Sequence, residues 1–237
     1  MKLDARLTLF ITLVGVFLTC LVVGNLIGGK LTYVHAFGRD WVISVGEIPF
    51  PLTFILTDIL TEFYGRKTAR KVTLLGAAMI ALTIGIIQVA NQAPWFPPAY
   101  SDPNWGKENM TPFAFENVFL NASWIQFASM VAFLFANYVD IAVFFLLKKL
   151  TGQRLLWLRA TGSTAISQLV DTIVILSIAF GQKLDGGTLF SIIVTSYVVK
   201  VSVAVLVTPV IYALHGALER LWNLKPLPVE QAAGDVV

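Results

Sequence analysis

Six apolar stretches run through this chain: Leu7 to Ile27, Trp41 to Tyr64, Val72 to Ala93, Trp124 to Leu147, Thr161 to Gly181 and Leu189 to Leu214. Crossing the roughly 30 Å hydrocarbon layer takes about 20 apolar residues in a helix. No water is available there to satisfy a backbone N–H or C=O, so each segment must close its own hydrogen bonds. The alternating pattern of a barrel strand is absent, which leaves helices. The expectation is an all-α integral membrane protein of six transmembrane helices, a single transmembrane domain over residues 1–237.

Composition supports that reading. The chain is 57% hydrophobic and 13% charged, with a mean hydropathy of +0.76, outside the mix of soluble domains. At 237 residues, little length remains for a separate catalytic domain. The formal charge of +3 and pI near 9.0 do not point to nucleic acid, because the basic residues sit in short clusters between apolar stretches. Cys20 is the single cysteine, so no disulfide framework or cysteine metal site is available. The first stretch lacks a small-residue cleavage site and reads as the first helix, not a signal peptide.

Lysine and arginine bias sets the orientation. Lys2 and Arg6 precede the first span; Arg66, Lys67, Arg70 and Lys71 join the second and third; Lys148, Lys149, Arg154 and Arg159 join the fourth and fifth; Arg220 and Lys225 follow the sixth. The other side carries Lys30, Arg39, Lys107 and Lys183, so both termini are expected in the cytoplasm. The longest outer connection, Pro94 to Asn121, holds Trp95, Phe96 and Trp105 among prolines and reads as an interfacial connector rather than a lid.

The residues that oppose anchoring carry the functional information. Asp58 and Glu62 in the second span, Asp140 in the fourth, Asp171 in the fifth and Lys200 in the sixth each cost about 2.5–3.5 kcal/mol at mid-membrane. Such groups must face one another or water. Helical spacing places Asp58 with Glu62, Asn137 with Asp140, Ser167 and Gln168 with Asp171, and Ser196 and Tyr197 with Lys200 on shared stripes, with Thr57 next to Asp58 as a further candidate. Lys200 could neutralise Asp171 or Asp140 purely as a packing device, and Glu62 is expected to snorkel to Arg66. In the second span, Glu47-Ile48-Pro49-Phe50-Pro51 predicts a break or kink, which is tolerated at membrane depth where backbone lines a cavity. Phe50, Phe54 and Tyr64 could stack on a flat ligand. An inverted repeat of three helices plus three is permitted, with Thr57-Asp58-x-x-Thr61-Glu62 echoed by Ser167-Gln168-x-x-Asp171-Thr172, and Asn25 by Asn137.

Ile48 through Asp58 followed by Gly65 and a basic loop, then Ser163-Thr164 through Asp171-Thr172, then Lys200 before Pro209, resemble the queuosine precursor transporter family, also called vitamin-uptake-like transporters. The resemblance covers Leu7 to Trp222. It implies uptake across a bacterial inner membrane of 7-deazaguanine bases such as 7-cyano-7-deazaguanine or 7-aminomethyl-7-deazaguanine, which feed a tRNA modification. It carries onto Asn25, Asp58, Asn137, Asp140, Gln168, Asp171 and Lys200 as site residues.

The chemistry of the residues agrees. A carboxylate can accept the ring N–H and exocyclic amine of a guanine-like edge as a pair, while amides or a lysine donate to its carbonyl. Asp58 or Asp171 is expected to read that donor edge, Lys200 to balance charge, and Asn137 and Gln168 to read the rest. The mechanism expected is a stand-alone carrier, with a proton gradient acting through the buried acids as a possible drive. The alternative is the substrate-binding membrane component of an ATP-driven uptake system. An enzyme is not expected: His35 and His215 fall outside the spans, and no metal-ligand or nucleophile motif occurs. No cofactor is called for. The partners expected are a small-molecule nucleobase and the lipid bilayer, with Gly24, Gly28, Gly29, Gly76 and Ala77 able to support contacts within one subunit or in a homodimer.

Overall fold

The computed structural model describes residues 5–28, 30–36, 39–102, 104–120, 123–151, 155–182, 184–221 and 226–227. Lys2, Gly29, Asn121, Arg154, Lys183 and Lys225, which figured in the reading above, lie outside the described residues. The protein is a helical membrane protein, and among the described residues five helices are long and apolar enough to cross a bilayer. These are α1 (Ala5–Ile27), α3 (Arg66–Asn91), α7 (Ser123–Thr151), α8 (Leu156–Phe180) and α9 (Gly186–Leu221). Between α3 and α7 run three one-turn helices, α4 (Pro98–Ser101), α5 (Trp105–Glu108) and α6 (Pro112–Phe115). Trp95 and Phe96, just ahead of α4, pack against Phe115 of α6 and Trp105 of α5 respectively.

The second predicted span differs from the expectation. Its first part is not helical: an antiparallel hairpin, β1 (Leu31–Ala36) with β2 (Arg39–Ser44), precedes a 3₁₀ turn at Val45–Glu47, and helix α2 spans only Phe50–Tyr64. The cause is local. Pro49 and Pro51 lack the N–H groups a helix interior needs but suit a first turn, so the helix starts there. Ahead of them Gly46 packs against α1 so closely that an added Cβ would lie 2.5 Å from the Gly24 carbonyl oxygen and 2.8 Å from Gly28 Cα. Ser44 fixes the approach, its hydroxyl donating to the Gly28 carbonyl at 2.7 Å and accepting the Gly46 N–H at 3.1 Å.

At 15 residues α2 is about 22 Å long, shorter than its neighbours. It nevertheless runs the length of α1 in the opposite direction. Pro49 lies beside Gly24, while at the other end Arg6 donates to the Phe63 carbonyl at 3.2 Å and the Tyr64 hydroxyl donates to the Arg6 carbonyl at 3.1 Å. Every residue from Thr53 to Phe63 is buried, so α2 is a central helix wrapped by others. One apolar cluster joins its Ile55, Ile59 and Phe63 to Phe144, Ala160 and Ile211, and a second joins Leu56 and Leu60 to Phe17, Leu21, Val72 and Phe133. The small residues serve contacts inside the chain: Gly24 and Gly28 receive Gly46, and Gly76 receives Phe17, Leu21 and Phe133.

Candidate functional site

Because α2 is surrounded on all sides, its polar residues have nowhere to go except toward other helices. Asp58 and Glu62 are four apart, and each meets a different environment. Glu62 holds two cations: Lys148 of α7 at 3.1 Å and Arg159 of α8 at 3.2 Å, all three buried. Arg66 is not its partner, contrary to expectation; that guanidinium lies over the Phe145 ring instead. The difference follows from helix ends. α7 continues past Leu147 and α8 begins before Thr161, so Lys148 and Arg159 are helical and point inward rather than joining a basic loop.

Above Glu62, Asp58 is 3% exposed, and among the described residues neither of its carboxyl oxygens has a hydrogen-bond partner. Asp140 of α7 lies within electrostatic reach of it. One Asp140 oxygen accepts the Ser167 hydroxyl at 3.1 Å, and the other has no partner among the described residues. The Thr57 hydroxyl reaches Asn137 Oδ1 at 3.4 Å, and Asn137 donates back to its own helix at the Phe133 carbonyl.

A cavity of about 260 Å³ opens beside this column, between α2, α8 and α9. Its upper wall is Glu47, Phe50 and Phe54, with Thr161, Thr164 and Gln168 on α8 and Lys200 on α9; Val203, Val207 and Ile211 complete the apolar side. Lys200 donates to Asp171 at 2.8 Å and lies 5.5 Å from the centre of the Phe50 ring. The Phe50 and Phe54 rings are 5.9 Å apart. Gln168 is 2% exposed, and neither end of its amide finds a partner among the described residues. Glu47, half-buried in the same wall, feels the charges of Lys200 and Asp171.

The structure thus brings together Phe54, Gln168 and Lys200 in the cavity wall, with Asp171 paired to Lys200, and Thr57, Asp58, Asn137, Asp140 and Ser167 in a buried group beside it. Asn25 lies apart, donating to the Leu21 carbonyl of its own helix beside a much smaller cavity with Gln126. Tyr197 is half-buried on α9 outside the cavity wall, and Tyr64 sits at the far end of α2 against Phe10 and Arg6. His215, expected beyond the last span, is on α9 with its ring against Phe63. Thr161, Thr164, Lys148 and Arg159 were not among the expected site residues. Among the described residues no group of three or more His, Cys, Asp or Glu could hold a metal ion.

Fold and site together define a multi-pass helical membrane protein with a largely apolar cavity, carrying a few polar groups, set among its helices. Residues 44–214 match the family model described as "Putative vitamin uptake transporter", which takes in α2, α8 and Lys200. The chain belongs to that family, as the resemblance of its second and fifth spans implied. It is 31% identical over 182 residues to the "Probable queuosine precursor transporter" of Bacillus subtilis (strain 168), covering 76% of this chain and 74% of that one. It is 28% identical over 165 residues to a protein of the same description from Haemophilus influenzae, covering 66% of this chain and 60% of the relative. No solved structure matches it.

Proposed function

We propose that this protein carries queuosine precursors, 7-deazaguanine bases, across the plasma (inner) membrane of a bacterium, holding the base in the cavity between α2, α8 and α9. The observation that supports this most is Gln168. A buried amide with neither end satisfied costs free energy that native structures rarely tolerate, and a ligand supplying both a donor and an acceptor removes the cost. The cavity is slightly smaller than the roughly 300–1,000 Å³ of drug-sized sites, which suits one fused-ring base. Phe50 and Phe54 offer the stacking face, Glu47 accepts from the donor edge, and the Lys200–Asp171 pair closes the polar end. Asp58 is outside the wall, so Glu47 takes the role first given to an acid deeper in the chain.

The sixth crossing is α2 with its preceding turn, which brings both termini to one side. Arg6, Arg66, Lys67, Arg70, Lys71 and Lys149 cluster at that side, the cytoplasmic one by the positive-inside rule. The test is binding and exchange of radiolabelled 7-aminomethyl- and 7-cyano-7-deazaguanine by purified protein in liposomes. Gln168→Leu should weaken base binding about tenfold or more, the value of one to two lost buried hydrogen bonds, while thermal stability holds. Unchanged affinity in that variant refutes the site, and a strict requirement for an ATPase partner refutes the stand-alone carrier.

A further inference from the structure

Asp58 and Asp140 take no part in the cavity wall, yet among the described residues they are buried acids with no ion-pair partner. Asp58 is 3% exposed and Asp140 1%, and three of their four carboxyl oxygens lack a hydrogen-bond partner among the described residues. The charged groups that act on Asp58 are Asp140 of α7, Glu62 one turn along α2, and Arg159 of α8. Arg159 and Lys148 are already committed to Glu62, and Lys200 on α9 to Asp171. Hydroxyls surround the pair from α2 and α8: Thr57, Thr61, Ser163 and Ser167 are all buried. Two ionised carboxylates in such a place would face both desolvation and mutual repulsion, offset only by Arg159, whose charge Glu62 already shares. A proton on either acid removes the repulsion and that acid's share of the desolvation cost.

We propose that Asp58 and Asp140 form a proton-carrying pair, separate from the base-binding cavity, through which base uptake is coupled to proton entry. This rests on the carrier reading above. The linkage is built into two helices. On α8, Ser167 donates to Asp140 while its neighbour Gln168 lines the cavity. On α2, Phe54 lines the cavity and Asp58, four residues on, belongs to the pair. A base that engages Gln168 and Phe54 therefore acts on the segments that close over the two acids. The protonated pair is compatible with tight packing of α2 on α7 and α8; the ionised pair favours an arrangement that admits water. Protonation state thus selects between two conformations, which is what coupling requires. One proton enters with the base and leaves to the cytoplasm, with no covalent step.

The experiment uses the full chain in liposomes with radiolabelled 7-aminomethyl-7-deazaguanine. Accumulation is driven by an inward proton gradient in sodium-free buffer, and gradient-free exchange is measured alongside with internal unlabelled base. Wild type should accumulate base and acidify the lumen as base enters, read by an internal pH dye. Asp58→Asn and Asp140→Asn, which mimic the protonated form, should keep exchange within a few-fold of wild type and lose gradient-driven accumulation. Either variant accumulating like wild type overturns the proposal, as does loss of exchange together with accumulation, or accumulation that follows a sodium gradient instead. Absence of exchange in wild type itself would instead defeat the base-carrier reading, and this proposal with it.

Discussion

Neutralising Glu62 leaves Lys148 and Arg159 buried without their shared counter-charge. All three residues are about 1% exposed, and the carboxylate holds one cation at 3.1 Å and the other at 3.2 Å. Removing one partner of a buried ion pair costs about 3–5 kcal/mol, chiefly because the remaining charge stays desolvated. Glu62→Gln keeps an oxygen that Arg159 can still use, so the lower end, about 3 kcal/mol, applies. For a chain of this size about 1 kcal/mol moves the melting temperature by roughly 2–4 °C, which gives a loss of about 6–12 °C. Thermal unfolding of detergent-purified protein followed by intrinsic fluorescence measures it; six tryptophans provide the signal. A double-mutant cycle sharpens the test. Lys148→Met should destabilise wild type but recover part of the loss in the Glu62→Gln background, because there it removes a stranded cation. A drop under about 2 °C, or equal harm from Lys148→Met in both backgrounds, would show that the triad does not hold α2, α7 and α8 together.

Two further perturbations bear on the frame around the site. Gly46→Ala forces a Cβ to within 2.5 Å of the Gly24 carbonyl, backbone against backbone, so the hairpin and 3₁₀ turn must move off α1; a lower melting temperature and faster proteolysis near residue 45 are expected, whereas Gly85→Ala, with open space, should be silent. At the start of α9, Asp185 accepts the Thr188 N–H at 2.8 Å and the Thr188 hydroxyl at 2.7 Å, and these bonds hold its carboxyl below the usual carboxylate range. That cap is fully formed above the range and is lost as pH falls through the lowered value, so amide exchange at the first turn of α9 should rise in acid, and Asp185→Asn should flatten that dependence.

Long apolar runs made five of the crossings legible, because a 25-residue apolar segment has few stable alternatives. The hairpin was not legible for the complementary reason: Trp41, Val42 and Ile43 are apolar and also strand-forming, and a run that short does not distinguish helix from strand. Pro49 and Pro51 did mark the interruption; what they could not show was that the chain ahead of them turns back along α1. Asp58, Asp140, Asp171 and Lys200 stood out because each is costly in lipid. Lys148 and Arg159 did not, since a basic residue one or two positions beyond an apolar run reads as a loop charge. The available signal was Glu62 itself, a carboxylate one turn inside a helix end, which needed a cation from another helix and not only from its own loop.

Acids set into one bundle therefore meet three environments, and the difference between them separates support from work. Glu62 has two cations and no freedom, so its contribution is to fix three helices at the end where the basic residues gather. Asp171 has one cation, and that cation also touches an aromatic wall of the cavity, so this pair can reorganise when a ligand arrives without leaving either charge alone. Among the described residues Asp58 and Asp140 form no ion pair with a cation, and on the proposal above a proton supplies the compensation. A purely structural role would favour the first arrangement everywhere, because an uncompensated buried acid weakens a fold that a leucine would strengthen. On the proposals above, the uncompensated acids and the unsatisfied amide beside the cavity are the groups that a proton and a hydrogen-bonding ligand engage in turn.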